Sequence, residues 1–344
     1  MKTEVPVQEF GDYTVRLMQE HDVQGVVSLY RAIYGNHYPI RKMYEPEYIL
    51  QQQESGLMYR VVISDTSGKV VAQEALYRLA ETYQGLYEMG QVMILPEYRG
   101  SGLNGILMSY MTKVLVPALG IEEIWGEAVT NHVFMLKTGI KFGVKETGIE
   151  LDLMPAESYK TEKSALGRVS ASVGHLLFQD NPHSVYLPAP YADVLKSVYE
   201  YANRKRCFEM DAQPLPEGVE TRYATTFIAS AGVLRITILE AGRDIEELIA
   251  GMTKKYTAEG IVVLHMFIPL NKAWCGALCD VLNRQGFFYS ALMPRWFGSD
   301  GLLLQRLEQA TDYSGIQLYS DFSKQLLEFI IKDRARVEAL SKSS

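Results

Sequence analysis

The sequence predicts an α+β fold in two domains, each a mixed, mostly antiparallel, twisted sheet flanked by helices. Three observations predict it. The chain has 344 residues, and a domain usually holds about 100–200, so a single core is not expected. Runs with the two-residue period of strands interleave with runs of helical period in both halves. A polar stretch, PAESYKTEKS, begins at Pro155 and separates the two sets. The expected division is a first domain at 1–155, a linker at 156–170 and a second domain at 171–344 that ends in a helix.

Each element has its own reason. YTVRLMQE (13–20) alternates as a strand does, and Asp22 is placed to cap a helix with Val23, Val26, Val27, Tyr30 and Ile33 on one face. A short helix is expected over 46–54. The runs 57–65 and 69–79 are rich in β-formers and flank Thr66-Ser67-Gly68, a hairpin signal. A further strand is expected at 86–95. Then follows a helix with Leu103, Ile106, Leu107, Tyr110 and Val114 in register, closed near Pro117. Strands at 121–128 and 144–153 bracket a short helical piece opened by Asn131. In the second half a helix is expected at 191–201 and strands at 220–227 and 233–240. Asp244 and Glu247 have capping-box spacing at the head of a helix. IVVLHMF is a strand, NKAWCGALCDVLNRQGF a helix, and GFFYSALM and GLLLQRL a strand pair. The chain ends in an amphipathic helix bearing Phe322, Leu326 and Ile330. The two halves share this element order but no residue-level repeat.

Net charge is −7, which disfavours a nucleic-acid footprint, since that needs a basic face. No run of about 18 apolar residues exists to span a membrane, and the N-terminal stretch has no apolar segment of the secretory kind. Three cysteines, Cys207, Cys275 and Cys279, suit a reducing compartment, so a cytoplasmic protein is expected. Cys275 and Cys279 lie on one helical face with Leu278 and Leu282, which is a core pattern. The scattered histidines give no metal pattern, so no metal is expected.

The stretch ILPEYRGSGLNGILMSYM (94–111) carries the chemistry. Gly100, Gly102 and Gly105 read as G-x-G-x-x-G, but a dinucleotide fingerprint needs its strand to run directly into the first glycine and to open a βαβ unit. Here Pro96 to Arg99 intervene, and several antiparallel strands come first. An anion cradle at a helix start fits better. Small residues allow close backbone approach, unpaired N–H groups of the first turn point at the anion, and Arg99 adds a positive charge.

In this frame VMILPEYRGSGLNGILM resembles motif A of the GNAT acyltransferase superfamily, in which Arg or Gln is followed after two residues by Gly, then after one more by Gly or Ala. The matching positions are Arg99, Gly102 and Asn104; Asn104 departs from the pattern, with Gly105 next to it. The element order from Tyr13 to Pro155 is also similar to that of the family. The resemblance implies an acetyl-CoA-dependent N-acetyltransferase. The backbone of Val92, Met93 and Ile94 would hold the pantetheine arm. Arg99, Gly100, Ser101, Gly102, Leu103, Asn104 and Gly105 would hold the pyrophosphate, and Asn131 matches the residue that opens the family's motif B. The stretch NHVFMLKTGIKFG lacks the tyrosine that often protonates the thiolate there. The second half has EAGRDIEELI at the corresponding place, so the resemblance implies a tandem arrangement with a degenerate second half.

Transfer to an amine needs a base and oxyanion donors. Glu88 is the first base candidate, since parity places it on an apolar strand face with Leu86, Val92 and Ile94. Glu74, Glu127 and His132 are the others. Tyr87, Tyr98 and Tyr110 are the tyrosines near enough in sequence to act as acids. The expected partner is a small-molecule or peptide amine. The other readings are a non-catalytic acyl-CoA-binding regulatory protein, consistent with Asn104 and the missing tyrosine, and the disfavoured nucleotide-dependent oxidoreductase.

Overall fold

The computed structural model describes residues 5–36, 38, 40–78, 82–155, 167–210 and 213–341. Contacts divide the chain into two compact units: Met1–Gly126 with Leu176–Gln179, and Glu127–His175 with Asp180–Ser344. Most of the linker expected at 156–170 lies outside the described residues. Residues 127–155, expected in the first domain, group with the second unit.

In the first unit the strands are β1 (Gln8–Phe10), β2 (Tyr13–Leu17), β3 (Met58–Ser64), β4 (Val70–Tyr77), β5 (Leu86–Ile94) and the start of β6 (Glu123–Val129). They lie in chain order. Each neighbouring pair up to β5 is antiparallel, and β5 pairs with β6 in parallel. The helices are α1 (Val23–Tyr34), α2 (Pro46–Glu54), α3 (Leu103–Tyr110) and the short α4 (Val116–Ala118). Helix α1 buries Val23, Val26, Val27, Leu29 and Tyr30, and each such side chain contributes about 1.5–3 kcal/mol of transfer free energy. Gly25 lets it lie close on β4, because a Cβ there would meet Val70 Cγ2 at 2.6 Å. Asp22 does not cap α1 through its side chain. Its carboxylate is taken by Arg16 at 2.6 Å and by the N–H of Gln19 at 2.9 Å.

Between α3 and α4 the helix passes through a π turn, Met111–Leu115. The inserted residue shifts the apolar stripe, so Met111 and Leu115 are fully buried while Val114 is only partly so.

The second unit contains α5 (Phe134–Lys141), β7 (Lys145–Met154), β8 (Val169–Leu177), β9 (His183–Tyr186), α6 (Ala192–Tyr201), β10 (Arg206–Glu209), β11 (Arg222–Ile228), β12 (Val233–Glu240), α7 (Ile245–Ala258), β13 (Val263–Pro269), α8 (Cys275–Arg284), β14 (Phe288–Met293), β15 (Gly301–Leu307) and α9 (Asp321–Ser341). Its main sheet has the order β8-β7-β14-β15-β13-β12-β11, with a separate β10-β9 pair. Again a parallel pair, β12 with β13, is joined through a helix, and an antiparallel hairpin, β14 with β15, follows. Cys275 and Cys279 are buried, unpaired core residues, and burial pushes the Cys275 thiol up to about 12. The aromatic turn of MPRWFG is also core, Trp296 stacking on Phe267 with centroids 4.2 Å apart. No helix among the described residues is long and apolar enough to cross a membrane.

Candidate functional site

Strand β5 is the centre of the first unit's chemistry. Its register against β4 runs Tyr77↔Glu88, Leu76↔Met89 and Ala75↔Gly90, then jumps to Gln73↔Met93 and Ala72↔Ile94. Gln91 and Val92 therefore face the single residue Glu74, which is a β-bulge. Gln91 has φ +54°, a left-handed conformation that costs a residue with a Cβ about 1–2 kcal/mol. The bulge overturns the parity expected from sequence. Glu88 and Gly90 share a face with Met93, whereas Ile94 falls on the other.

On its other edge β5 pairs with β6 only through Leu86↔Glu123, Tyr87↔Ile124 and Glu88↔Trp125. Gly126 then passes so close to β5 that an added Cβ would stand 2.8 Å from the carbonyl oxygen of Met89. Beyond the Glu88 pair, the stretch from Met89 to Ile94 pairs with no strand but β4 among the described residues. Val92, Met93 and Ile94 thus present a strand edge, as an extended pantetheine-like chain requires.

The loop after β5 is open. Gly100 and Gly102 have φ +80° and +85°, and an added Cβ at Gly100, Gly102 or Gly105 would meet nothing within 4 Å. Gly102 is the N-cap of α3, and its carbonyl accepts from the N–H groups of Gly105 and Ile106 at 2.9 and 3.3 Å. Arg99, Gly100, Ser101 and Gly102 are exposed, Leu103 is buried, and Asn104 is half-buried in the first helical turn. Tyr98 is anchored from below: its hydroxyl donates to Asp65 Oδ2 at 2.9 Å. Asp65 also accepts from the N–H and hydroxyl of Ser67 and from the N–H of Lys69. These bonds hold its carboxyl down at about 2. The hairpin turn between β3 and β4 is thereby tied to the loop that carries Arg99. Tyr98 and Tyr110, whose hydroxyl donates to the carbonyl of Pro6 at 2.7 Å, both serve structural bonds.

The four acid–base candidates fall in different settings. Glu88 is buried at the end of the β5–β6 ladder, and Tyr77 donates to its Oε1 at 2.5 Å. Gly90 makes room for that contact, since its Cβ would meet the Tyr77 hydroxyl at 2.7 Å. Glu74 pairs with Val61 and so lies on the opposite sheet face from Tyr77 and Glu88. It is fully buried, neither carboxyl oxygen has a hydrogen-bond partner among the described residues, and burial raises its pKa to about 8. Glu127 and His132 belong to the second unit. Glu127 is engaged by Arg235, which also bonds Glu150 at 3.2 Å. His132 is half-buried with its ring 5.5 Å from that of Phe134. Asn131 is buried in the second unit too, its carbonyl accepting from Gln317 Nε2 at 3.0 Å. The structure places Glu88 near the start of the strand whose far end leads into the glycine loop; it does not place Glu127, His132 or Asn131 in that unit.

The corresponding loop of the second unit, between β12 and α7, is closed. A Cβ on Gly242 would stand 1.7 Å from the carbonyl oxygen of Val219. The N–H of Gly242 donates to Thr221 Oγ1 at 3.0 Å. Thr221 in turn gives its N–H and hydroxyl to the carboxylate of Asp244. Asp244 therefore does not form the expected capping box.

Sequence reading missed Tyr30, Arg60, Gln73 and Gln91, which converge at the bulge. The signal was present: each is a polar or hydroxylated residue within an otherwise apolar stripe. Among the described residues no cluster of three or more His, Cys, Asp or Glu is arranged to hold a metal ion.

No family model matches the chain, and no curated protein matches it. Solved structures similar to it include the ribosomal-protein-S5-alanine acetyltransferase of Vibrio fischeri, at 13% identity and TM-score 0.42, covering 51% of this chain and 98% of that one. An N-acetyltransferase of Staphylococcus aureus is similar at 15% identity and TM-score 0.40, covering 49% of this chain and 100% of its own. A dodecameric spermidine N-acetyltransferase of Vibrio cholerae is similar at 16% identity and TM-score 0.38, covering 49% and 95%.

Proposed function

We propose that this chain is an acyl-CoA-dependent N-acyltransferase, with acetyl-CoA as donor and a primary amine as acceptor. The observation that carries the reading is the open, positive-φ glycine loop placed at the end of a bulged strand whose outer edge, past Glu88, has no strand partner among the described residues. A diphosphate would suit that loop, because a Cβ at Gly100, Gly102 or Gly105 would meet nothing, the N–H groups of a helix start are near, and Arg99 is exposed beside them. Arg99, Gly100, Ser101, Gly102, Leu103, Asn104 and Gly105 would hold it. Val92, Met93 and Ile94 would hold the arm that carries the thioester, and Asn131 keeps only its sequence match to motif B.

Within this reading Glu88 is the base. The acceptor arrives as an ammonium ion, and the carboxylate takes a proton from it, freeing the nitrogen lone pair. The C–N bond forms as the C–S bond breaks. Negative charge on the thioester oxygen is met by backbone N–H groups of the bulge, from Val92 to Ile94. The sulfur leaves as a thiolate, whose conjugate acid has a pKa of about 8.5, and it takes up the second proton that the attacking nitrogen sheds as the amide forms. Glu74 faces the other side of the sheet and is a buried acid outside this path; Glu127 and His132 are weaker candidates by their settings. The second half, with its closed loop, is a degenerate copy.

Thiol release from acetyl-CoA across a panel of primary amines tests the proposal, with calorimetric CoA binding alongside. Transfer to at least one amine, and loss of CoA binding in Arg99→Glu, are expected. Binding without transfer to any amine would support the regulatory reading, which Asn104 and the missing tyrosine favour. No binding would end both.

A further inference from the structure

The bulge at Gln91 is held by side chains of three other elements, with Arg60 and Gln73 on the sheet face that also carries Glu88. Gln91 Oε1 accepts from the hydroxyl of Tyr30, on α1, at 2.6 Å and from Arg60 Nη1, on β3, at 3.2 Å. The backbone carbonyl of Gln91 accepts from Gln73 Nε2, on β4, at 3.1 Å. Arg60 Nη1 closes the set, donating also to Tyr30 Oη and Gln73 Oε1, both at 3.1 Å. Tyr30, Arg60 and Gln73 are at most 1% exposed.

Two features make this more than core packing. First, the residue being held is the one in left-handed backbone. Such a conformation persists in a non-glycine residue only when its surroundings over-determine it. Second, Arg60 is buried with neutral acceptors only: among the described residues no carboxylate pairs with it. An uncompensated buried guanidinium is costly, and its field is strongest where water is excluded. That place is the strand segment whose N–H groups face developing negative charge in the acyl-transfer reading.

We propose that Tyr30, Arg60 and Gln73 form a clamp on Gln91 that fixes the bulge and aims the N–H groups after it at the thioester carbonyl. These four are positioning residues for transfer, and the inference rests on the acyl-CoA reading above. The clamp acts through backbone direction, so its loss harms recognition of the acyl carbonyl and leaves the grip on the diphosphate intact.

The test compares acetyl-CoA and CoA binding by calorimetry, and amine transfer, in the full chain and in Gln91→Ala, Gln91→Gly and Tyr30→Phe. The full chain is expected to bind acetyl-CoA more tightly than CoA. Gln91→Ala should erase that preference with CoA affinity within about twofold, and lower kcat at least about tenfold, as misplacement of reacting groups does. Gln91→Gly should recover much of the lost kcat, because glycine adopts the bulge conformation without a clamp. Tyr30→Phe, which removes one hydroxyl and keeps the ring, should lie between. If Gln91→Ala keeps the acetyl-CoA preference and kcat, or Gln91→Gly is no better than Gln91→Ala, the clamp is overturned while the acyl-CoA reading stands. A full chain that binds neither ligand overturns both.

Discussion

Glu74 and Glu88 stand on facing strands' opposite surfaces, and their different settings assign them different behaviour. Glu88 keeps a donor at 2.5 Å and sits where two strands part. Glu88→Gln should lower kcat by about 10²-fold or more, in the range of a lost general base, with acetyl-CoA affinity unchanged; steady-state kinetics and calorimetry together check this. Glu74 has no hydrogen-bond partner among the described residues, and burial raises its pKa from 4.5 to about 8. The folded chain then holds a proton on Glu74 that the unfolded chain has lost. Glu74 therefore makes stability fall as pH rises from about 4.5 to about 8, with no further change from this group above that. Denaturant titrations of Glu74→Gln should show a shallower loss over that window, and an unchanged slope would count against a neutral Glu74. A carboxylate on an apolar strand was legible in the sequence for both residues. Which face each occupies was not, because the two-residue period assumes no inserted residue, and the bulge at Gln91 inserts one.

The glycine loop and α3 show what the local sequence can specify. Arg99, Gly100 and Gly102 could be read directly as a helix-start cradle, since their chemistry depends on neighbours in the chain. Gly102→Ala would put a Cβ at φ +85°, costing about 1–2 kcal/mol, and should lower both stability and CoA affinity, measured by thermal melts with and without CoA. Unchanged CoA affinity in that variant would argue that the loop does not carry the diphosphate. Other elements were less legible. Strand β8, VSASVGHLL, is buried along most of its length, but its small and polar residues resemble loop composition. The π turn at Met111–Leu115 left the helix recognisable while moving its buried stripe by one residue. The clamp on Gln91 needs partners from α1, β3 and β4, and no local pattern joins residues so distant in the chain.

Over the whole molecule, the mixed sheets and flanking helices expected from sequence are present, and a parallel pair joined through a helix occurs in each unit. Their loops differ in kind. One is open around Gly100 and Gly102, and the other is filled by Val219, Thr221 and Asp244. The expected stoichiometry is one CoA per chain, and calorimetry giving two would contradict the closed loop. The closed loop was only partly legible, because EAGRDIEELI lacks the Arg-x-x-Gly-x-Gly pattern of a cradle but does not say what fills the space. Asp244, the N-cap residue of α7, also places a negative charge at the helix N-terminus, where the helix dipole would otherwise favour an external anion. Deuterium uptake should therefore slow around α3 when CoA is added and stay the same around α7, so that a single molecule carries its own internal reference for ligand-dependent protection.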